Sequence, residues 1–342
     1  MKKILFGLVL FILLFGCFEG TPPEQNQTPI EDNGSTNNNG QVNIIVGGQT
    51  NQTIGKNVTE NQTEDNTTMI KELEYTYNPN LPFGVYFIDV GGSGGHGNAI
   101  LIKKGDLDVL VDAGPAETAS KVIDFLRAKE VDDIEVMIST NADPKQYGGM
   151  AAVANSFKVE QFWWSDDSFG DSAYIAIVDK MVQTTKDVKR IDAGMSVDLN
   201  GMNFTFINPP TQRFNDINND AVVTKITDRN FSLLLTSGIQ TGAQGKLINQ
   251  PELLKATIMQ APYYGVGAGT SNIAIFLLKV EPEVVVITGS SDESAIQGGS
   301  REPFKRLMTQ YGIAWNETYF NGTVRIVSDG EGYALDALGM GQ

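Results

Sequence analysis

The stretch Ser139-Thr140-Asn141-Ala142-Asp143-Pro144-Lys145-Gln146-Tyr147-Gly148-Gly149 decides how this chain of 342 residues is interpreted. It follows an apolar run, Ile134 to Ile138, broken by Glu135, which predicts a buried strand that leads into a polar loop. The loop is polar, ends in two glycines and contains no histidine or cysteine. The chain holds one histidine, His96, and it lies elsewhere. The stretch therefore predicts a strand followed by a polar loop that offers no imidazole to a metal ion.

The composition limits the partners of the chain. Apolar residues make up 41 %, enough for a sizeable core in one large domain or two ordinary ones. The formal net charge is −16, with 25 Lys and Arg against 41 Asp and Glu. Because an acidic surface repels phosphate backbones, nonspecific nucleic-acid binding is not expected.

The N-terminus resembles a lipoprotein signal peptide, residues 1–16. Lys2 and Lys3 precede a 12-residue apolar run, Ile4 to Phe15, which is too short to span a bilayer comfortably. The run ends in Leu14-Phe15-Gly16-Cys17, so Cys17 is the predicted lipidation site and membrane anchor. An uncut signal anchor, or an ordinary signal peptide with a chance cysteine, is the alternative.

Residues 17–78 have a different composition, rich in Asn, Thr, Gln, Glu and Gly and almost without aromatic residues. Such a segment cannot bury enough apolar surface to order itself, which predicts a disordered tether with an r.m.s. span of roughly 40–50 Å. It also carries Asn-x-Ser/Thr triplets that accept N-glycans outside the cytoplasmic membrane. The predicted glycosylation sites are Asn33, Asn51, Asn57, Asn61 and Asn66; further triplets begin at Asn203, Asn230, Asn316 and Asn321.

The pattern becomes globular in residues 79–342. Apolar runs such as Val85–Val90 and Val109–Val111 predict strands, and Thr118–Lys129 has helical spacing with Val122, Phe125 and Leu126 on one face. Strands with interleaved helices favour a layered α/β sandwich.

Several motifs together resemble the metallo-β-lactamase domain of ComEC-type DNA-uptake competence proteins, over about Phe83 to Tyr333. The resemblance implies a four-layer αββα metallo-β-lactamase-like sandwich, and in that family a zinc-dependent hydrolase. The stretches that carry it are Phe87–Gly91 with Gly95–Ile102, Val109–Gly114, Asn218–Thr227, Ser232–Gly238, Ala261–Gly265 and Glu281–Ile287.

Every ligand position that the resemblance implies has changed. In the main loop, the positions of two His, an Asp and a third His are taken by Asn141, Asp143, Lys145 and Gln146. The position of the bridging carboxylate is taken by Gly238, and the positions of a His pair are taken by Tyr263 and Tyr264. We call these the degenerate positions. Asp112, which supports the ligands in the family, is retained. Zinc needs imidazole nitrogens and carboxylates, so neither a zinc cofactor nor metal-dependent hydrolysis is expected here.

Lys145 has two interpretations. Its ammonium could replace the missing metal charge by pairing with Asp143 or Asp112, or it could point to solvent while Tyr263 and Tyr264 partly fill the cleft. The rival hypothesis for the whole site is an active hydrolase with a non-standard set of oxygen ligands from Asp89, Asp112, Asn141 and Asp143.

Two further motifs remain. The glycine-rich run Gly91–Gly97 is expected to be a flexible loop on the cleft rim, with His96 as a solvated residue. The alternative is that His96 acts alone as a general base. Phe162-Trp163-Trp164 is expected to be core packing plus one rim residue, with an exposed binding platform for a ligand or sugar as the alternative.

Together these features predict a lipid-anchored protein on the extracytoplasmic face of an archaeal or bacterial membrane. Its domain is a catalytically degenerate pseudoenzyme that binds or scaffolds an unknown ligand or envelope protein. The alternatives are an active phosphodiesterase- or nuclease-like hydrolase, and a role in DNA uptake by analogy with the competence proteins, against which the acidity counts.

Overall fold

The computed structural model describes residues 73–91, 96–267, 272–289 and 299–338, all within one compact unit, Asn57–Gln342. The signal peptide, Cys17 and the five tether asparagines lie outside the described residues. The strands are β1 Phe83–Phe87, β2 Ile100–Lys104, β3 Leu107–Val111, β4 Asp133–Ser139, β5 Lys158–Trp164, β6 Asp187–Arg190, β7 Ser196–Leu199, β8 Met202–Asn208, β9 Val223–Asp228, β10 Phe231–Leu235, β11 Ile258–Gln260, β12 Val284–Ile287, β13 Ala314–Glu317, β14 Thr323–Ser328 and β15 Tyr333–Leu338. The helices are α1 Ala119–Ala128, α2 Pro144–Tyr147, α3 Met150–Ser156, α4 Ser172–Thr184, α5 Thr241–Leu247, α6 Pro251–Leu254, α7 Ala274–Val280, α8 Glu302–Gln310 and α9 Thr318–Asn321.

These strands form two mixed sheets in the described part of the chain. One has the order β15-β14-β1-β2-β3-β4-β5-β6, and the other β13-β12-β11-β10-β9-β8-β7. Strands β3 to β6 run parallel in the first sheet, and β10 to β13 run parallel in the second. Each sheet therefore has a parallel half whose strands all end at the same edge.

Three apolar clusters divide the molecule into layers. The first joins inward residues of both sheets, including Phe87, Trp163 and Phe206, so it lies between the sheets. A second cluster packs α1, α3 and α4 on the outer face of the first sheet, and a third packs α5, α7 and α8 on the outer face of the second. The predicted four-layer αββα sandwich is confirmed.

The ordered domain begins before the predicted boundary at residue 79. Leu73 and Tyr75 pack against the core between the sheets. The backbone nitrogen of Glu74 donates to Glu160 Oε2 at 2.7 Å, and that of Asn78 donates to Asn200 Oδ1 at 2.5 Å. Residues 73–78 therefore belong to the domain and not to the tether, because two apolar side chains in a polar segment are enough to dock it.

Most elements expected from the sequence are present. Helix α1 matches the expected Thr118–Lys129 within a residue at each end. Strand β5 is buried along most of its length, with Phe162 and Trp163 inaccessible and Trp164 at the rim. Core packing plus one rim residue is therefore correct for this aromatic run, and the binding platform is wrong. Within the described ranges, no helix has the length and apolar character needed to cross a membrane.

Candidate functional site

The degenerate positions lie together at the edge where the parallel strands end. Asp112 follows β3, Asn141 follows β4 closely, Gly238 follows β10 and Tyr263 follows β11. In open α/β sheets, loops beyond the carboxyl ends of parallel strands form a common crevice. Two backbone hydrogen bonds hold these loops together: Tyr263 N donates to Ser237 O at 3.0 Å, and Val222 N donates to Thr140 O at 2.8 Å.

Asp112 is buried under the loop that opens the quoted stretch. Its Oδ1 accepts the backbone N–H of Thr140 at 2.9 Å, and its Oδ2 lies 2.7 Å from the Thr140 hydroxyl. Burial raises the pKa of Asp112 to about 7; the hydrogen bonds from Thr140 oppose that rise, and the charge of Asp143 adds to it. The Asp112 carboxyl, which the family resemblance gives as retained, is therefore half-protonated near neutral pH. It fixes the backbone of the degenerate loop.

Gln146 links the two sheets through its side-chain amide. Its Oε1 accepts a hydrogen bond from the Ser237 hydroxyl at 2.8 Å and also contacts the Thr140 hydroxyl. The two hydroxyls lie 2.6 Å apart. On the other side, Gln146 Nε2 donates to the Tyr264 phenol at 3.3 Å. A residue at an imidazole position thus forms part of a closed network of neutral groups, which we call the amide–hydroxyl network (Thr140, Gln146, Ser237 and Tyr264).

Lys145 contacts the histidine of the chain. Its Nζ lies 2.7 Å from His96 Nε2, and the His96 ring lies edge-on to Tyr264 with centroids 4.5 Å apart. An ammonium only donates, so Nε2 accepts and the imidazole is the neutral tautomer with its proton on Nδ1. His96 is 1 % exposed. The expectation of a solvated loop residue is wrong, because tertiary packing places the imidazole between Tyr264 and Lys145; residues 92–95 of the glycine-rich run lie outside the described residues.

Asp143 caps the short helix α2. Its Oδ1 accepts the backbone N–H of Lys145 at 3.0 Å. Burial raises the pKa of Asp143, and the backbone hydrogen bond and the charge of Lys145 oppose the rise. The expected pairing of the Lys145 ammonium with Asp143 or Asp112 is thus replaced in the described contacts by its contact with His96. The other interpretation places Tyr263 and Tyr264 in the cleft, and this part agrees with the structure, since both tyrosines are buried.

Gly238 and Asn141 fit against each other. A Cβ at position 238 would lie 3.0 Å from Asn218 Oδ1, 3.1 Å from Asn141 Nδ2 and 3.4 Å from Gln146 Nε2. Asn141 Oδ1 accepts from Asp143 N at 3.1 Å, while Asn141 Nδ2 is buried and makes no hydrogen bond among the described residues. A side chain at position 238 would therefore press on buried amide groups and require them to shift.

Tyr263 and Tyr264 complete the site in an unusual backbone conformation. Burial raises the pKa of Tyr264 well above 10, so its phenol is neutral. Arg301 Nε donates to the Tyr264 carbonyl at 2.9 Å, a contact that no sequence signal announced. Left-handed conformations recur around the site, at Asp112 (φ 58°), Ser237 (φ 51°), Tyr263 (φ 44°) and Tyr264 (φ 58°). Such non-glycine conformations cost about 1–3 kcal/mol each and concentrate at functional sites.

Comparison with known proteins gives the fold. The crystal structure of the metallo-β-lactamase fold protein YhfI from Bacillus subtilis matches with a TM-score of 0.52 and 13 % identity, covering 72 % of this chain and 100 % of that one. The chain has the metallo-β-lactamase fold. Igni18, described as a novel metallo hydrolase from Ignicoccus hospitalis KIN4/I, matches with a TM-score of 0.46 and 15 % identity, over 71 % of this chain and 98 % of its own. No protein-family model and no curated protein matches the sequence.

The metallo-β-lactamase fold implies a metal centre, and the donor set of this chain does not fit one. In the described part of the chain, no group of three or more His, Cys, Asp or Glu could hold a metal ion. An ammonium about 4 Å from a divalent ion would raise its energy by about 8 kcal/mol at an effective dielectric of 20. In the rival oxygen set, each carboxylate accepts a backbone N–H: Asp89 Oδ1 accepts from Gly91 N at 2.9 Å, Asp112 Oδ1 from Thr140 N and Asp143 Oδ1 from Lys145 N.

Proposed function

We propose that this protein is a lipid-anchored surface protein whose metallo-β-lactamase fold serves for binding or scaffolding and not for hydrolysis. The observation that carries the proposal is the replacement of ligand positions by mutually bonded groups. Lys145 contacts His96, Gln146 bonds to Ser237 and Tyr264, and amides pack against Gly238. Lys145 and Gln146 thus direct their polar side-chain groups at neighbouring protein groups, which favours a packed structural element over a set of groups directed at a substrate.

The same groups offer little for catalysis without a metal. A hydrolase must generate a nucleophile, which a metal does by lowering the pKa of its bound water, or a positioned general base does by removing a proton. The neutral His96 could serve as a base, but its Nε2 accepts from Lys145. The phenol of Tyr264 is held neutral by burial. The lone pair of His96 Nε2 is thus engaged and the Tyr264 phenol is not ionised, and both observations support a binding or scaffolding role over hydrolysis.

The entry of the chain into the domain supports an anchored arrangement. Residues 73–80 contact the turns that precede β3 and β8: Thr76 N donates to Asp106 Oδ2 at 2.9 Å, and Asn200 N donates to the Tyr75 hydroxyl at 3.2 Å. The degenerate site lies beyond the opposite ends of the parallel strands. A tether from a lipidated Cys17 would therefore reach the domain at the end remote from the cleft.

The test is metal analysis and a phosphodiesterase assay on the full chain purified from membranes. We expect far less than one equivalent of zinc or manganese per chain, and no hydrolysis of bis(p-nitrophenyl) phosphate with or without added Zn²⁺ or Mn²⁺. Stoichiometric metal together with turnover that a chelator abolishes would overturn the proposal. Lys145→Ala is the matched variant: metal uptake by the variant alone would show that the ammonium is what excludes the ion.

The anchor is tested separately by fractionation. We expect the natural chain in the membrane fraction and Cys17→Ser in the soluble extracytoplasmic fraction, because the variant has no thiol to lipidate. Equal membrane association of both would contradict lipidation at Cys17.

A further inference from the structure

An aromatic pair is exposed on the short helix α9. Phe320 is 71 % exposed and Tyr319 38 % exposed, and their rings form an edge-to-face pair with centroids 4.8 Å apart. Lys305 Nζ lies 5.7 Å from the Phe320 ring centroid, so a charged group already lies over part of the ring. Adjacent exposed aromatic rings leave a sizeable apolar area in water, and such patches commonly mark a contact site.

The residue after this pair begins an Asn-x-Thr triplet, Asn321-Gly322-Thr323. Asn321 Oδ1 accepts the backbone N–H of Glu317 at 3.1 Å, which fixes the plane of the amide. Its Nδ2 makes no hydrogen bond with the described residues. Gly322 has a φ of 74°, a left-handed conformation that favours glycine, so the chain turns directly after the asparagine. The acceptor nitrogen therefore lies at a turn that directly follows two residues with exposed rings.

The other Asn-x-Ser/Thr triplets of the domain are less suited to accept a glycan. Asn203 lies on β8 between two neighbouring strands, and its Oδ1 accepts from the Ser196 and Thr205 hydroxyls at 3.0 and 2.6 Å. Asn230 Nδ2 donates to Glu331 Oε2 at 2.7 Å. Asn316 lies within β13, in register with Val286 of β12. Asn321 differs from all three in combining a turn, an amide nitrogen outside the described hydrogen bonds and adjacent aromatic rings.

We infer that Asn321 is a site of N-linked glycosylation and that the first sugar covers the rings of Phe320 and Tyr319. The C–H face of a sugar ring is apolar and packs on an aromatic ring, which removes both surfaces from water. The inference rests on the proposed function, because the transferase acts outside the cytoplasmic membrane. Since Thr318 Oγ1 accepts from Gly289 N at 3.2 Å, α9 lies beside the end of β12, and the glycan would stand at the cleft end of the domain.

The chemistry needs one co-reactant, an oligosaccharide linked to a polyprenyl diphosphate. Asn321 Nδ2 forms a bond to the anomeric carbon of the first sugar, while the bond from that carbon to the diphosphate oxygen breaks. The amide nitrogen loses one proton to a base of the transferase, and the polyprenyl diphosphate leaves with the bonding electrons. Nothing is oxidised or reduced.

The first experiment is peptide mass spectrometry on the full chain purified from the cells that make it. Trypsin releases Leu307–Arg325, which holds both Asn316 and Asn321. Electron-transfer fragmentation should place a sugar mass on Asn321 and none on Asn316, and Asn321→Gln should remove it while Asn316→Gln leaves it. A peptide at its unmodified mass, or a sugar on Asn316 alone, overturns the inference. A chain found in membranes with a bare Asn321 overturns this inference alone, whereas a chain found in the cytoplasm overturns the proposed function with it.

The second experiment tests the contact with the rings by a double-mutant cycle in thermal unfolding. Asn321→Gln should lower the melting temperature of the glycosylated protein by about 2 °C, the shift expected for a small contact in a domain of this size. In the Phe320→Ala background the same substitution should lower the melting temperature by less, because only the hydrogen bond from Glu317 N to Asn321 Oδ1 is then lost, and Asn316→Gln should have no effect in either background. An equal decrease with and without Phe320 overturns the stacking of the sugar on the rings.

Discussion

Replacing Asp112 by Asn should make the protein more stable at alkaline pH. Burial raises the pKa of this carboxyl to about 7 from an ordinary value of 3.8. A carboxyl whose pKa is raised on folding favours the folded state while it is protonated. Its contribution is fully present below about pH 4 and is lost as the pH rises to about 7. Three pKa units correspond to about 4 kcal/mol at 1.36 kcal/mol each, as an upper value.

The substitution keeps the geometry of the site. Asparagine Oδ1 can accept the Thr140 backbone N–H in the same way, and the amide NH₂ can donate to the Thr140 hydroxyl, which accepts as well as donates. The variant therefore removes the titration without leaving a buried polar group unpaired. Relative to the natural protein, its free energy of unfolding should gain up to about 3 kcal/mol between pH 5 and pH 8.5, because about one of the three pKa units is already lost at pH 5.

The assay is urea unfolding at both pH values, followed by the fluorescence of the buried Trp163. Burial also raises the pKa of Asp108 to about 7 and that of Glu135 to about 8, with the same sign. Those contributions are common to both proteins and cancel in the difference. Asp124→Asn, which removes a carboxylate exposed on the surface of α1, is the charge-matched control. If Asp112→Asn and the natural protein show the same dependence on pH, the reasoning is refuted.

Three further substitutions test the packing of the domain. Lys145→Met removes the contact with His96 and should lower the free energy of unfolding by about 1 kcal/mol, since the lysine is half-buried; an unchanged melting temperature would discard its structural role. Gly238→Ala should cost about 1–3 kcal/mol in urea unfolding because its Cβ meets buried amides, whereas Gly245→Ala, with open space around its Cβ on α5, should stabilise by up to about 1 kcal/mol; equal effects of the two would contradict the packing argument. Tyr75→Ala should cost about 1–2 kcal/mol and speed proteolytic cleavage near residue 80, and an unaltered cleavage rate would show that residues 73–78 do not hold the chain to the domain.

The sequence predicted much of the fold because its signals are local. The apolar runs at β1, β3 and β4 and the helical spacing of α1 each lie within a dozen residues, and periodicity reports such elements directly. Strand β14 was not foreseen. It pairs with β1, more than 200 residues away, and no local pattern announces that partner. The same limit applies to residues 73–78, whose polar composition concealed two docking side chains.

In the candidate site, too, some features are evident from the sequence and others are not. The polar loop Ser139–Gly149 and the residue types at Gly238 and Tyr264 are evident from the chain alone, and their interpretation as former ligand positions stays a prediction. The environment of His96 could not be. Its neighbours in sequence are glycines, which indicate a solvated loop, while its neighbours in space are Lys145 and Tyr264 from distant segments.

The residue types at these positions are fixed by the sequence of this protein without reference to its shape. Only the tertiary structure decided what these groups do, because the hydrogen bonds between Gln146 and Ser237 and between Gln146 and Tyr264 join residues that are 91 and 118 positions apart. Bonds of that kind depend on how two sheets pack, and packing is a property of the whole domain. The burial of His96 and the exposure of Phe320 follow from that packing, and in both cases the local sequence gives no indication of it.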